Sequence, residues 1–302
     1  MSKKTSYLFG ILLTIVVGTF LYWKFCCCSC CTTNTKAGDV SGSAVTNVVA
    51  GNHFKIDNQD FKYETSKNFK FLKNDFANIL PISDSVNFGI DALKLHFDKN
   101  PSQKLLITGY ATSDEKNTSA YPNLGFARAN AIKNYFISKG FLASQFDTNG
   151  VVKDTWQYSK DTILGPNSFE ILSATPKTAS KDWNVEKANI NANPLVLYFD
   201  TNQTEINLTA DERQKVADLV EYLDNVPSAK LNAIGHTDNA GKRELNISLG
   251  LNRANFAKDY LVKNSVAAEK IETLSQGPDQ PIADNTSADG KSKNRRTVIT
   301  IK

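Results

Sequence analysis

Outside one short cluster the sequence has no cysteine, and it has only three histidines. All five cysteines lie within residues 26–31, in the string CCCSCC, so neither a disulfide nor a cysteine metal site can stabilise the chain that follows. The cluster lacks the paired CxxC spacing of a zinc site. The three histidines, His53, His96 and His236, are far apart and share no metal-ligand spacing. We therefore predict no bound metal and no cofactor.

The chain also lacks a strong excess of one charge. Its 35 Lys and Arg residues and 31 Asp and Glu residues leave a net charge of +4, and no basic tract is longer than the pair Arg295-Arg296. This composition argues against a nucleic-acid partner. The length of 302 residues and the hydrophobic content of 41% fit a globular protein of about two domains.

Recognisable catalytic groupings are missing as well. His236 and Asp238 are neighbours, but no Ser or Cys nucleophile has an identifiable place beside them. The acidic pair Asp211-Glu212 lies in the first turn of a predicted helix, where negative charge favours the helix dipole. We predict that the protein is not an enzyme.

One long hydrophobic run is present, at residues 7–23 (YLFGILLTIVVGTFLYW). It is uncharged and ends in aromatic residues, as a short membrane-spanning helix does. We predict a transmembrane anchor over residues 7–25 behind a cytoplasmic tip at residues 1–6. A cleaved signal peptide is the alternative, although no small-x-small cleavage site follows. Acylation at Cys26 is a second alternative, which Phe25 disfavours because a lipoprotein site wants a small residue there.

Residues 26–52 combine the cysteine cluster with a stretch of small and polar residues. That stretch predicts a flexible tether of roughly 20 residues with a span on the order of 25 Å. The cysteines would lie just outside the bilayer. The sequence leaves open whether they form disulfides between neighbouring chains, giving a disulfide-linked oligomer, carry lipid, or stay free.

The string LGFARAN at residues 124–130 returns as LGLNRAN at residues 249–255, with five of seven letters unchanged. Around the second string, hydrophobic periodicity and a capping box formed by Thr209 and Glu212 predict the order β-α-β-α-β-loop-β. The predicted strands are 194–200, 229–238, 270–277 and 295–302, and the predicted helices are 210–226 and 246–264.

The first string lies in a weaker version of the same order. Its predicted strands are 68–72, 103–112 and 168–172, and its predicted helices are 85–100 and 123–139. We therefore predict an α+β fold with two tandem β-α-β-α-β(β) modules, residues 53–175 and 193–302, joined by a linker at 176–192 and placed behind one N-terminal transmembrane helix.

The second module resembles a known family. The strings YFDTNQTEINLTA, IGHTDNAGKRELNISLGLNRA and QGPDQPIADNTSADGKSKNRRTVITI are similar to the OmpA-like C-terminal domain, the peptidoglycan-binding module also found in Pal lipoproteins and MotB-type stator proteins. The likeness covers residues 190–302, and the family usually has serine where this chain has Gly250. It implies non-catalytic peptidoglycan binding in the cell envelope of a diderm bacterium, with both modules in the periplasm.

The resemblance also implies a ligand and the residues that bind it. The ligand is the free end of diaminopimelate in the peptidoglycan stem peptide, which carries an ammonium and a carboxylate on one carbon. The family's binding aspartate corresponds to Asp238 and its binding arginine to Arg253; Thr237, Asn246 and Arg295 match further positions near the pocket. An aspartate can accept from the ammonium, while an arginine offers a planar fork to the carboxylate.

Two features of this motif stay open at the level of sequence. Asn294 and Arg295 are equally consistent with contacting ligand and with bracing the loop at 278–291. In the first module Arg128 matches Arg253, but Thr112 stands where Asp238 would be, and Asp114 could replace it only if the loop bulges. We therefore expect a degenerate module without a carboxylate opposite Arg128, in which Arg128 is a packing or salt-bridge residue.

These features favour a protein that tethers a membrane to the cell wall. The alternatives are an interaction scaffold, in which the first module binds a protein partner, and an outer-membrane lipoprotein acylated in the cysteine cluster. A motor stator is disfavoured because no ionisable residue lies between Tyr7 and Trp23 to carry an ion.

Overall fold

The structure, a computed structural model, describes residues 52–156, 158–172, 181–200 and 208–302. These residues belong to one compact unit that spans residues 49–302. The predicted anchor and nearly all of the predicted tether lie outside them. Within the part that the structure describes, no helix has the length and apolar character needed to cross a membrane.

The first module contains helices α1 and α2 and three small sheets. Strand β4 is the centre of the main sheet, with β5 parallel on one side and β8 antiparallel on the other. Strands β1 and β2 form a hairpin, and β3 pairs with β7 in a sheet that also holds β6. The elements are β1 Phe54–Asp57, β2 Lys62–Thr65, β3 Lys70–Leu72, α1 Asp84–Lys99, β4 Lys104–Ala111, α2 Leu124–Ser138, β5 Phe146–Val152, β6 Tyr158–Ser159, β7 Thr162–Leu164 and β8 Asn167–Leu172.

The second module is one four-stranded sheet with helices on it. Its strand order is β11-β10-β12-β9, and β10 again lies between a parallel and an antiparallel neighbour. The elements are α3 Trp183–Ala192, β9 Leu195–Tyr198, α4 Ala210–Asn225, β10 Leu231–His236, α5 Arg243–Lys263, β11 Ile271–Gly277, α6 Ala288–Asn294 and β12 Arg296–Ile301. The described residues therefore mix helices and strands, which confirms the coarse part of the predicted fold, while the duplication of the module and the N-terminal transmembrane helix stay predictions.

The helix ends follow local sequence signals. Thr209 and Glu212 form the predicted capping box at the start of α4. Helix α2 begins only at Leu124, because Pro122 disfavours a helical conformation at the preceding residue and the Asn123 side chain accepts from the Phe126 N–H at 2.8 Å. Helix α5 begins at Arg243, three residues before its predicted start at 246.

Paired glycines bring each repeated helix against its central strand. A Cβ on Gly109 would lie 2.1 Å from the Gly125 carbonyl oxygen, and one on Gly235 would lie 1.8 Å from that of Gly250. Both approaches are too close for any side chain. The glycine of each repeated string therefore sets the spacing between helix and sheet, and with it the position of the arginine three residues later.

The two modules share a hydrophobic core. Tyr121 is 1% exposed and packs into the cluster built mainly from the second module, where its hydroxyl donates to the Asn264 carbonyl at 2.8 Å. The Asn264 side chain accepts from the Ala120 N–H at 2.7 Å. Lys133, 2% exposed, forms an ion pair with Asp224 at 2.5 Å. The described parts of the modules are thus packed together, while the boundaries predicted at 175 and 193 stay predictions.

Candidate functional site

Asp238 lies two residues after His236, the last residue of β10, and so at the carboxyl end of that strand. Its Oδ1 accepts from the Ala240 N–H at 3.0 Å, and its Oδ2 accepts from Arg295 Nη1 at 3.1 Å. The side chains of Asp238 and Arg295 are 15% and 16% exposed. A carboxylate held on both oxygens at a partly open surface has a fixed direction and remains accessible to a small ligand.

Arg253 approaches the same place from α5. Its Nη1 donates to the His236 carbonyl at 3.0 Å, and its guanidinium lies 5.8 Å from the centre of the Phe199 ring. Burial lowers the pKa of Arg253, the neighbouring Arg295 lowers it further, and Asp238 opposes both. The hydrogen bond to His236, two residues before Asp238, places Arg253 on the same loop end as the Asp238–Arg295 pair, and we call these three residues the cluster.

Thr237 and Asn246 act on the backbone of the loop that follows β10. Thr237 is 2% exposed and donates from its hydroxyl to the Asp238 carbonyl at 2.8 Å. Asn246 is 6% exposed, and its amide donates to the Ala240 carbonyl at 2.9 Å. Both side chains therefore hold the loop that presents Asp238.

The residues of the string Asn294-Arg295-Arg296 contact two places, the loop that precedes α6 and the carboxylate of Asp238. Asn294 is fully buried; its Oδ1 accepts from the N–H groups of Ile282 and Ala283, so it braces the loop. Arg296 donates to the Gln280 carbonyl at 3.2 Å and braces the same loop. Only Arg295 reaches Asp238. Helix α6, Ala288–Asn294, begins inside the segment predicted as a loop at 278–291 and continues three residues beyond it.

His236 is buried and has no catalytic partner among the described residues. Its Nδ1 has no hydrogen-bond partner within that part of the chain, and it is 4% exposed. Burial lowers its pKa to about 4, and the positive charge of Arg296 adds to the effect. A neutral, enclosed imidazole beside β12 is a packing residue.

The cluster places two guanidinium groups, Arg253 and Arg295, against one carboxylate, Asp238. In the described residues the Arg253 guanidinium makes the single hydrogen bond to His236, so several of its donors point elsewhere. An anion therefore gains a charge-assisted partner here, and an ammonium gains Asp238. Over the ranges that the structure describes, no group of three or more His, Cys, Asp or Glu side chains could hold a metal ion.

The equivalent place in the first module corrects one expectation. The sequence predicts no carboxylate opposite Arg128, yet Glu115 lies there, with its Oε1 at 2.5 Å from Arg128 Nη2. Both side chains are fully buried. Asp114 instead pairs with Lys73 at 2.5 Å on the surface. Arg128 is thus a salt-bridge residue, as predicted, and its partner was missed because Glu115 has no counterpart in the second module's motif.

Comparison with known proteins identifies relatives of the second module. The family model described as the OmpA family matches residues 198–295. Outer membrane protein Omp38 of Acinetobacter baumannii is 38% identical over 131 residues, which are 43% of this chain and 34% of that protein. The chain therefore spans about a third of Omp38.

A second relative is matched over most of its length. The peptidoglycan-associated lipoprotein of Mesorhizobium japonicum is 30% identical over 136 residues, which are 45% of this chain and 79% of that protein. Among solved structures, the peptidoglycan-associated lipoprotein from Burkholderia pseudomallei aligns with a TM-score of 0.33 and 24% identity, covering 37% of this chain and 92% of that one. On the strength of the sequence matches, the chain belongs to the OmpA family.

Proposed function

We propose that the second module binds peptidoglycan without catalysis, through the diaminopimelate of the stem peptide. The observation that carries this proposal is the cluster of two guanidinium groups, Arg253 and Arg295, around the carboxylate of Asp238. A zwitterionic carbon needs an anion and a cation held a ligand's width apart, and this cluster supplies both with one positive charge in excess. The name of the Mesorhizobium relative, a peptidoglycan-associated lipoprotein, supports peptidoglycan as the partner.

Each residue of the site has a separate task in this proposal. Each carboxylate oxygen of Asp238 accepts one hydrogen bond within the protein, from the Ala240 N–H or from Arg295, and its remaining lone pairs accept from the ligand ammonium. Arg253 holds the ligand carboxylate through two parallel N–H groups, a geometry that lysine lacks. Each charge-assisted hydrogen bond contributes about 1.5–3 kcal/mol. Thr237 and Asn246 position the loop, so they are expected to influence affinity less than the charged residues.

The test is a pull-down of the full chain with purified sacculi. Asp238→Ala and Arg253→Ala should each abolish binding, because each removes one half of the zwitterion site. Arg253→Lys keeps the charge and removes the planar fork, so it should weaken binding by at least about 10-fold. Equal recovery of the wild type and Asp238→Ala would refute the proposal.

The same helix offers a matched control. Arg243 starts α5, and its side chain is 61% exposed in an ion pair with Asp279. Arg243→Ala removes a guanidinium from the same helix without touching the cluster, so binding should be unchanged. Sacculi that carry lysine in place of diaminopimelate add a second control: lysine has no carboxylate at that carbon, and recovery should fall as it does for Arg253→Ala.

We propose further that the first module is a duplicate of the second. Arg128 Nη1 donates to the Tyr110 carbonyl at 3.0 Å, as Arg253 does to His236, and each carbonyl belongs to the residue after the paired strand glycine. Arg128 also lies over the Phe71 ring at 5.3 Å, as Arg253 lies over Phe199. Shared anchoring of both arginines supports one ancestral site.

The proposed role of the whole chain is to tether a membrane to the cell wall. Residues 7–25 would anchor it, residues 26–52 would give it reach, and both modules would lie in the periplasm of a diderm bacterium. The disulfide-linked oligomer and the protein partner of the first module stay predictions. Protease treatment of spheroplasts tests the arrangement: the modules should be digested from outside while the anchor remains with the membrane fraction.

A further inference from the structure

The guanidinium of Arg128 has every N–H donor engaged inside the first module. Two donors bind the carboxylate of Glu115, with Nη1–Oε2 at 2.9 Å and Nη2–Oε1 at 2.5 Å. The other three bind the backbone carbonyls of Asp75 at 3.1 Å, Tyr110 at 3.0 Å and Leu72 at 3.2 Å. Arginine has five such donors, so the group is saturated.

Glu115 has four hydrogen bonds from Arg128 and the backbone around it. Besides Arg128, its carboxylate accepts from the backbone N–H of Thr112 at 3.0 Å and of Asn74 at 3.2 Å. Burial by itself raises the pKa of Glu115, but the Arg128 and Thr112 hydrogen bonds outweigh it, and the pKa lies below its ordinary value. A fully buried carboxylate with a two-pronged arginine and two backbone donors is a complete anion site.

The loop that carries Glu115 explains how it reaches this place. In the second module β10 ends at His236 and α5 begins at Arg243. In the first module β4 ends at Ala111 and α2 begins only at Leu124, so the connecting loop is longer. Pro122 and the Asn123 cap account for the late start, and the freed residues 112–123 fold back over Arg128. Glu115 therefore comes from a segment whose counterpart in the second module is partly helix.

We propose that the first module retains the carboxylate pocket of the second, and that its permanent ligand is the chain's own Glu115. This inference rests on the proposed function, because it assigns to Glu115 the place that a ligand carboxylate takes beside Arg253. The pocket's ligand class is a small aliphatic carboxylate. With Glu115 in place it is closed to stem peptides, so the first module contributes no wall binding.

The test removes the internal ligand and offers a free one. Glu115→Ala in the full chain leaves Arg128 without its anion and opens space for acetate. Sodium acetate at about 100 mM should raise the Tm of this variant by about 3 °C or more over sodium chloride at equal ionic strength. The wild type and Asp114→Ala, which loses only the neighbouring surface acid, should show no such difference.

A second variant covers the case in which Glu115→Ala does not fold. Glu115→Gln fills the pocket and removes the charge, so its Tm should fall by about 6–20 °C and acetate should not restore it. A Tm within about 1 °C of the wild type would overturn the proposal, as would equal acetate stabilisation of Glu115→Ala and Asp114→Ala. Adding Arg253→Ala removes the group proposed to hold a carboxylate in the second module, so the acetate response of Glu115→Ala should persist in the double variant. Persistence there separates failure of this inference from failure of wall binding.

Discussion

The matched arginines Arg128 and Arg253 should respond in opposite ways to the same substitution. Arg128→Ala leaves the Glu115 carboxylate buried without its guanidinium, and it also removes the hydrogen bonds to the backbone carbonyls of Asp75, Tyr110 and Leu72. Breaking a buried ion pair in this way costs about 3–5 kcal/mol. Arg253→Ala removes one backbone hydrogen bond and one ring contact, which together contribute about 1–2 kcal/mol.

Binding to sacculi should show the opposite order, with the larger loss at Arg253. Arg253→Ala should abolish recovery by sacculi, whereas any folded Arg128 variant should be recovered like the wild type. Arg128→Lys provides such a variant, because it keeps a positive charge beside Glu115 while losing most of the donors. One variant thus loses stability with little change in binding, and the other loses binding with little change in stability.

The assay is urea unfolding of the full chain followed by tryptophan fluorescence, with sacculus pull-down of the same preparations. Arg243→Ala is the reference substitution, and its free energy of unfolding should change by no more than about 0.5 kcal/mol because its ion pair is exposed. The reasoning fails if Arg128→Ala is destabilised no more than Arg253→Ala. It also fails if Arg128→Lys folds and loses wall binding to the extent that Arg253→Ala does.

Three further outcomes follow from buried groups. Burial lowers the pKa of His236 to about 4 in the folded protein, so between about pH 6.5 and 4 only the unfolded chain binds a proton at this residue. The free energy of unfolding should therefore decrease by at most about 3 kcal/mol as pH falls through that window. In urea titrations His236→Gln should flatten this pH dependence. Asn264→Ala strips the acceptor from the buried Ala120 N–H, so unfolding free energy should drop by about 1–3 kcal/mol, whereas an unchanged midpoint would mean that the module interface is not stabilising. Asn294→Ala should make the 278–287 loop sensitive to limited proteolysis, which mass spectrometry would locate, and cleavage elsewhere first would count against the bracing role.

Sequence patterns predicted the elements that local signals determine. The capping box at Thr209 and the apolar spacing of the helices gave bounds within a few residues of those observed. Strand β5, Phe146–Val152, was missed because its polar and glycine residues have low strand propensity, and it is a strand by virtue of parallel pairing with β4. Helix α3, inside the predicted linker, was missed for a similar reason: its residues form no strong apolar stripe and none is fully buried.

The candidate cluster was predictable because one short motif contains most of it. Asp238 and Arg253 were chosen from the resemblance, and their ligand roles stay predictions. The contact between Arg295 and Asp238, separated by 57 residues, required the three-dimensional arrangement. Glu115 was beyond sequence reasoning because nothing in its spacing from Arg128 indicates that a loop folds back to bury two charges.

If the chain tethers a membrane to the cell wall, as we propose, the shared core would determine how the two modules carry load. The chain enters the described structure beside Phe54, and the candidate site lies in the other module. Between them stand the Tyr121 hydroxyl on Asn264 and the buried Lys133 pair, so a pull from the membrane is resisted by shearing a packed interface. Because these contacts are buried and lie between the modules, the two modules would bear such a pull together.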